Sequence, residues 1–155
     1  MKTAIMTPCD RRVWFSTQAV ILMTLLFSSG IRAFAAAPTV TLTAPTGSEN
    51  WTAGTTHSVT WSVSGSTANV TYYKVALSTD GGVSWPAAGT ENDLTPNGIS
   101  DPNARSFSWT IGGSLSTSQA RIRVRALASD STMLAENASN ANFTIGAPTA
   151  APRRP

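Results

Sequence analysis

The 155-residue sequence predicts an all-β protein, a two-sheet antiparallel sandwich of about seven strands. Three observations predict it. Short runs in which apolar and polar residues alternate with period two recur from residue 39 to residue 146. Clusters of Gly, Asn, Asp, Pro and Ser separate these runs at the spacing of turns between sandwich strands. The same region carries no helical period. A strand with one apolar face needs a second layer to cover it, so runs of this kind pack as two facing sheets.

The elements follow in order. Val40 and Leu42 alternate with Thr39, Thr41 and Thr43, and Pro45-Thr46-Gly47-Ser48 turns the chain. Val59, Trp61 and Val63 alternate with Ser58, Thr60 and Ser62 as a second strand. A third has Tyr73, Val75 and Leu77 on one side and Tyr72, Lys74 and Ala76 on the other. Asp80-Gly81-Gly82 is expected to make a tight hairpin into a short strand, Val83-Ser84-Trp85, before a polar loop from Ala88 to Ala104. Phe107, Trp109 and Ile111 alternate with Ser and Thr, and Gly112-Gly113 breaks that strand. Ala120, Ile122, Val124 and Ala126 alternate with Arg121, Arg123 and Arg125, and Phe143 with Ile145 marks the last strand.

The N-terminus reads differently. Lys2, Arg11 and Arg12 precede an apolar stretch densest over Ala19 to Phe27, and Arg32-Ala33-Phe34-Ala35 supplies a small-x-small site. This is the order of a secretory signal cleaved after Ala35. The dense apolar run is roughly half of the ~20 residues that span a bilayer, so no transmembrane anchor is expected after cleavage. Asp10 to Phe15 has a twin-arginine look, but an ordinary basic leader is the preferred reading, and the choice of export route stays open. Three segments are therefore expected: a signal over 1–35, a domain over 36–146 and an Ala/Pro/Arg tail or linker over 147–155. The expected location is secreted or extracytoplasmic, in the periplasm, cell wall or cell surface.

The formal charge of +3 belongs mostly to the two ends. Residues 36–155 hold seven basic and seven acidic groups, and without Arg153 and Arg154 the balance is −2. Nucleic acid is accordingly not an expected partner. The single Cys, Cys9, precedes the apolar run, so no internal disulfide framework is available, and one His excludes a multi-histidine metal site. No cofactor or metal is expected.

Trp61 in the second strand, the Tyr72-Tyr73-Lys74-Val75 strand and the Ile122-Arg123-Val124-Arg125-Ala126 strand resemble the B, C and F strands of fibronectin type III domains. More specifically, Leu42 to Trp51, Ala53-Gly54 and Val59-Thr60-Trp61 resemble the opening of the secreted Ser/Thr-rich cell-wall family, which includes the N-terminal domain of yeast cell-wall glucan-synthesis proteins. The Leu77 to Trp85 hairpin and the closing Asn142 to Ile145 resemble its later signature. The usual Asn-Gly-Gly-Glu turn of that family reads Thr46-Gly47-Ser48-Glu49 here. The resemblance covers about residues 39–146. It implies a fibronectin-like or immunoglobulin-like extracytoplasmic module, usually an accessory or wall-associated unit without known catalysis.

Enzymatic readings find little support. Ser78-Thr79-Asp80-Gly81-Gly82-Val83-Ser84-Trp85 fits the Asp-box of sialidase propellers, but a propeller needs the motif repeated over at least four blades. One copy is present, so Ser78, Asp80, Gly82 and Trp85 are read as a structural hairpin. His57 lies at a strand start beside Ser58 with no nucleophile elbow, and the carboxylates are scattered over turns rather than paired for glycoside hydrolysis. No catalytic residue is assigned. The loop from Glu91-Asn92-Asp93 to Asp101 holds oxygen ligands suited to Ca²⁺ but lacks EF-hand spacing, and a solvated loop explains it equally. Four sequons, at Asn50, Asn69, Asn137 and Asn142, are read as incidental in a bacterial-style exported chain.

Side-chain parity supplies the binding candidates. With Tyr73, Val75, Ile122 and Val124 inward, Tyr72, Lys74, Arg121, Arg123 and Arg125 face outward from two strands that neighbour each other in a fibronectin-like topology. Three guanidiniums at about 6–7 Å intervals suit the phosphate or carboxylate groups of an anionic envelope polymer. The plainer alternative is a solvated sheet face whose charges pair with acids such as Glu136 or Asp130. A second class is sugar stacking on exposed rings, for which Trp51, Trp61, Trp85 and Trp109 qualify by type. Trp61 and Trp109 are in phase with the core, and Trp51 and Trp85 are expected to plug the sandwich ends. A third class is a structural spacer or adhesion module. The expected function is an exported, non-catalytic structural, adhesion or accessory binding module, with a cell-envelope polysaccharide or another envelope protein as partner.

Overall fold

Alternation becomes pairing in the computed structural model, which describes residues 35–90 and 92–148. Eight strands form: β1 (Thr39–Ala44), β2 (Asn50–Thr52), β3 (Thr56–Ser64), β4 (Tyr72–Ser78), β5 (Ser106–Thr110), β6 (Thr117–Leu127), β7 (Met133–Ala138) and β8 (Phe143–Gly146). They make the two-sheet β-sandwich that the alternation predicts. One sheet has the order β1-β3-β5, and the other the order β2-β8-β6-β4 with β7 also on β6. All neighbours are antiparallel except β2 and β8, which run parallel over three residues. β7 and β8 pair with successive parts of β6, Arg123 to Leu127 and Thr117 to Ala120. Residues 1–34 of the expected secretory leader, Cys9 among them, and the tail arginines lie outside the described residues.

The core sits between the sheets and contains the in-phase residues. Val59, Tyr73, Val75, Leu77, Ile122, Val124 and Ile145 are fully buried, and Trp61 and Trp109 are nearly so. Tyr73 packs on Trp61 with ring centroids 5.3 Å apart and donates its hydroxyl to the Pro102 carbonyl.

One expected strand is absent, and two form that alternation does not predict. Val83-Ser84-Trp85 is not a strand: Gly81 and Gly82 take positive φ, the Asp80 carboxylate accepts the Ser84 N–H, and the chain closes into a loop with Val83 exposed. β2 is too short to show a period. β7, Met-Leu-Ala-Glu-Asn-Ala, has a helix-favouring composition without alternation, and its pairing with β6 overrides that preference.

The outer face of the β1-β3-β5 sheet has one chemistry throughout. On β1 its outward residues are Thr39, Thr41 and Thr43. On β3 they are Thr56, Ser58, Thr60, Ser62 and Ser64, and on β5 Ser106, Ser108 and Thr110. All are exposed except Thr60, which is half-buried. Register aligns them in cross-strand rows, Thr41 beside Ser62 and Ser58 beside Ser108 among them.

Candidate functional site

The outer face of the opposite sheet holds the charged candidates. Burial of the odd-numbered residues of β4 turns Tyr72, Lys74, Ala76 and Ser78 outward. Antiparallel register then sets Ser78 beside Arg121, Ala76 beside Arg123 and Lys74 beside Arg125, while Arg125 meets Glu136 of β7 on its other side. The five candidate binding residues therefore share one face, and each is half-buried.

Most are tied to neighbours. The Lys74 ammonium donates to Asp93 at 3.1 Å and to the Pro96 carbonyl at 3.1 Å. Burial pushes the Asp93 carboxyl up, but the Gly89 N–H, the Lys74 ammonium and the Thr95 N–H outweigh it and hold the group below the ordinary carboxylate value. Tyr72 donates its hydroxyl to Ser131, and Arg121 donates its Nε–H to Asn142. The Arg123 guanidinium lies 4.4 Å from the Trp85 ring centroid and 3.8 Å from Glu136, and its Nε is buried without an acceptor. Burial and the neighbouring Arg125 charge lower the Arg123 pKa, and Glu136 opposes them.

The hairpin that delivers Trp85 is clamped by its own polar groups. Ser78 donates its hydroxyl to Asp80, and the Gly82 N–H donates to Ser78 Oγ at 2.8 Å. Ser84 donates both its N–H and its hydroxyl to Asp80. Hydrogen bonds from the Ser78 and Ser84 hydroxyls, then from the Ser84 N–H, depress the Asp80 pKa strongly. Trp85 thus lies over the outer face of β6 rather than plugging a sandwich end. Beside it is a hollow of about 360 Å³ lined by Gly82, Trp85, Arg121, Arg123 and the β7 segment from Glu136 to Ala138. The sequence names Glu136 as an acid that pairs with this face, but not the β7 wall to which it belongs, because β7 lacks the alternation that would place it there.

The remaining candidates have structural positions. Trp51 stacks on His57 at 4.3 Å and contacts Phe143 and Trp109, closing one end of the core. His57 Nε2 shares a hydrogen bond with Thr55 Oγ1. Glu49, Asp80, Asp93, Asp101 and Asp130 each accept a backbone N–H within their own turn, from Thr46 and Gly47, Ser84, Gly89, Asn103 and Thr132 respectively. Asp130 therefore caps a turn, and it is Glu136 that approaches an arginine. Among the described residues no three His, Cys, Asp or Glu side chains cluster as metal ligands, and no helix is long and apolar enough to cross a membrane.

No known protein family and no curated protein matches the sequence. Two solved structures are similar in fold. Fibronectin(III)-like modules of CbhA from Clostridium thermocellum share 17% identity at a TM-score of 0.42, over 72% of this chain and 46% of theirs. The chain thus spans about half the length of that structure. A Niemann-Pick type C2 protein from the Japanese carpenter ant shares 8% identity at a TM-score of 0.43, over 73% of this chain and 96% of its own.

Proposed function

We propose that this chain is an exported, non-catalytic β-sandwich module of the cell envelope or secreted fraction, serving as a structural, adhesion or accessory binding domain. The observation that carries the non-catalytic reading is the use of the acids. Five carboxylates are tied to backbone donors inside separate turns, Glu136 stands 3.8 Å from Arg123, and the lone His is stacked on Trp51. General acid–base work needs a titratable group free to exchange a proton with a substrate, commonly beside a second group. The five turn carboxylates are committed to holding loops. The leader over residues 1–35 supports export, and the sequence resemblance over residues 39–146 supports a wall-associated module.

A second reading, an anionic wall polymer as ligand, is favoured by one feature. Arg121 and Arg123 line the same hollow as Trp85, so a phosphate or carboxylate group entering it meets two guanidiniums and an aromatic edge. Expression of the full chain in an exporting bacterium tests both. An extracytoplasmic product beginning at Ala36 is expected by mass spectrometry, without hydrolase activity on wall glycans. Retention on anionic polymer that weakens with salt and is lost in Arg123→Glu supports the second reading. Unchanged retention in that variant removes it, and a product still carrying its leader in the cytoplasm removes export.

A further inference from the structure

The outer face of the β1-β3-β5 sheet presents only Ser and Thr side chains, and we propose that it docks a neutral polyhydroxylated polymer, a polysaccharide surface. The inference rests on the accessory-binding reading and assigns it a face and a ligand class, distinct from the arginines of the opposite sheet. Every outward position on the three strands is Ser or Thr, with no ionisable, amide or apolar side chain among them. Charge matching excludes polyanions and basic segments from this face, since it offers no counter-charge. The lack of apolar side chains removes the driving force for a lipid or for an ordinary protein interface core. What remains matched is a partner that is uncharged and itself both donates and accepts hydrogen bonds.

The geometry suits an extended ligand. Strands about 4.8 Å apart, with outward residues about 6.7 Å apart along each, set the hydroxyls in a two-dimensional array. Each Ser or Thr hydroxyl has one donor hydrogen and two acceptor lone pairs. Two cross-strand pairs, Thr43 with Thr60 and Thr56 with Thr110, are hydrogen-bonded at 2.8 Å. Thr41, Ser58, Ser62 and Ser108 are exposed and make no side-chain hydrogen bond among the described residues. Short side chains on a paired sheet lose little freedom on binding. Each new bond replaces one to water, so single contacts add little and retention accumulates along a polymer chain. The face therefore distinguishes an insoluble polysaccharide from its free monosaccharide.

The test measures depletion of the full-length exported protein from solution by insoluble cellulose, chitin and β-glucan, at low and high salt. Retention on at least one of these that is indifferent to salt and to added monosaccharide is expected. The combined variant Thr41→Val, Ser58→Ala, Ser62→Ala and Ser108→Ala removes only exposed hydroxyls and should cut retention at least about tenfold. The single variant Ser62→Lys, with its thermal melt recorded, guards against a fold defect and should also weaken retention. Equal retention by wild type and both variants overturns the assignment of this face while leaving the accessory-binding reading intact. Retention by none of these neutral polymers overturns the polysaccharide assignment of this face, while retention on anionic polymer decides the accessory-binding reading separately. Loss of binding in Arg123→Glu but not in the hydroxyl variants moves the site to the opposite sheet, and inhibition of ice growth without polysaccharide retention reassigns the array to ordered water.

Discussion

Trp61 lies at the centre of the sandwich, 2% exposed and tilted against Tyr73, with its indole N–H buried without an acceptor. Its contribution is apolar packing, and truncation opens a cavity between the sheets. Trp61→Ala should lower stability by about 3–5 kcal/mol, read as a shift in the urea midpoint at constant slope. Arg123 is the opposite case. Its parity alone marks an outward charge, but Trp85 covers the guanidinium and leaves the side chain 17% exposed. A residue can point away from the core and still be buried when a distant loop folds back over it.

Among the elements, the turn between β1 and β2 joins the two sheets and is held by Glu49, which accepts the Thr46 and Gly47 N–H groups. Ser48 within it has φ 68°, a left-handed conformation that costs an L-residue about 1–2 kcal/mol and that glycine takes freely. Ser48→Gly should therefore raise stability by about 0.5–1 kcal/mol after the added freedom of the unfolded chain is subtracted, measured by chemical denaturation. β7 and the Val83–Trp85 segment show the limits of local pattern. β7 pairs through contact with β6 despite its composition, whereas the apolar residues of Val83-Ser84-Trp85 end in a loop because Asp80 captures the Ser84 N–H.

Across the whole molecule the turn acids act together. Asp80, Asp93 and Asp130 all have depressed pKa values: Ser78 and Ser84 hydrogen bonds act on Asp80, and Thr132 hydrogen bonds on Asp130. At Asp93 the burial penalty is outweighed by Gly89, Lys74 and Thr95. Unfolded aspartates bind protons near about 3.9, while these folded ones resist. The unfolded state therefore takes up more protons as pH falls, and the stability these groups contribute is complete above about pH 5 and is lost progressively below it. The melting temperature should be nearly flat from about pH 7 to 5 and then fall. Asp80→Asn should lower the neutral-pH value and shallow the acid slope, and an identical slope in the variant would remove Asp80 from this account.

Local alternation alone specified the sandwich, the inward set from Val40 to Ile145 and the all-hydroxyl outward positions of β1, β3 and β5, because side-chain parity is a property of each strand by itself. Parity turned Tyr72, Lys74 and the three arginines outward, and the strand adjacency implied by the fibronectin resemblance put them on one face, as the β4–β6 pairing has it. Tertiary structure decided what covers that face: Trp85 over Arg123, Asp93 on Lys74, and β7 with Glu136 as a wall. Those contacts join residues far apart in the chain through loop closure and strand pairing, which carry no period. The uncovered face remained the one whose short, uncharged side chains no loop of this protein engages among the described residues.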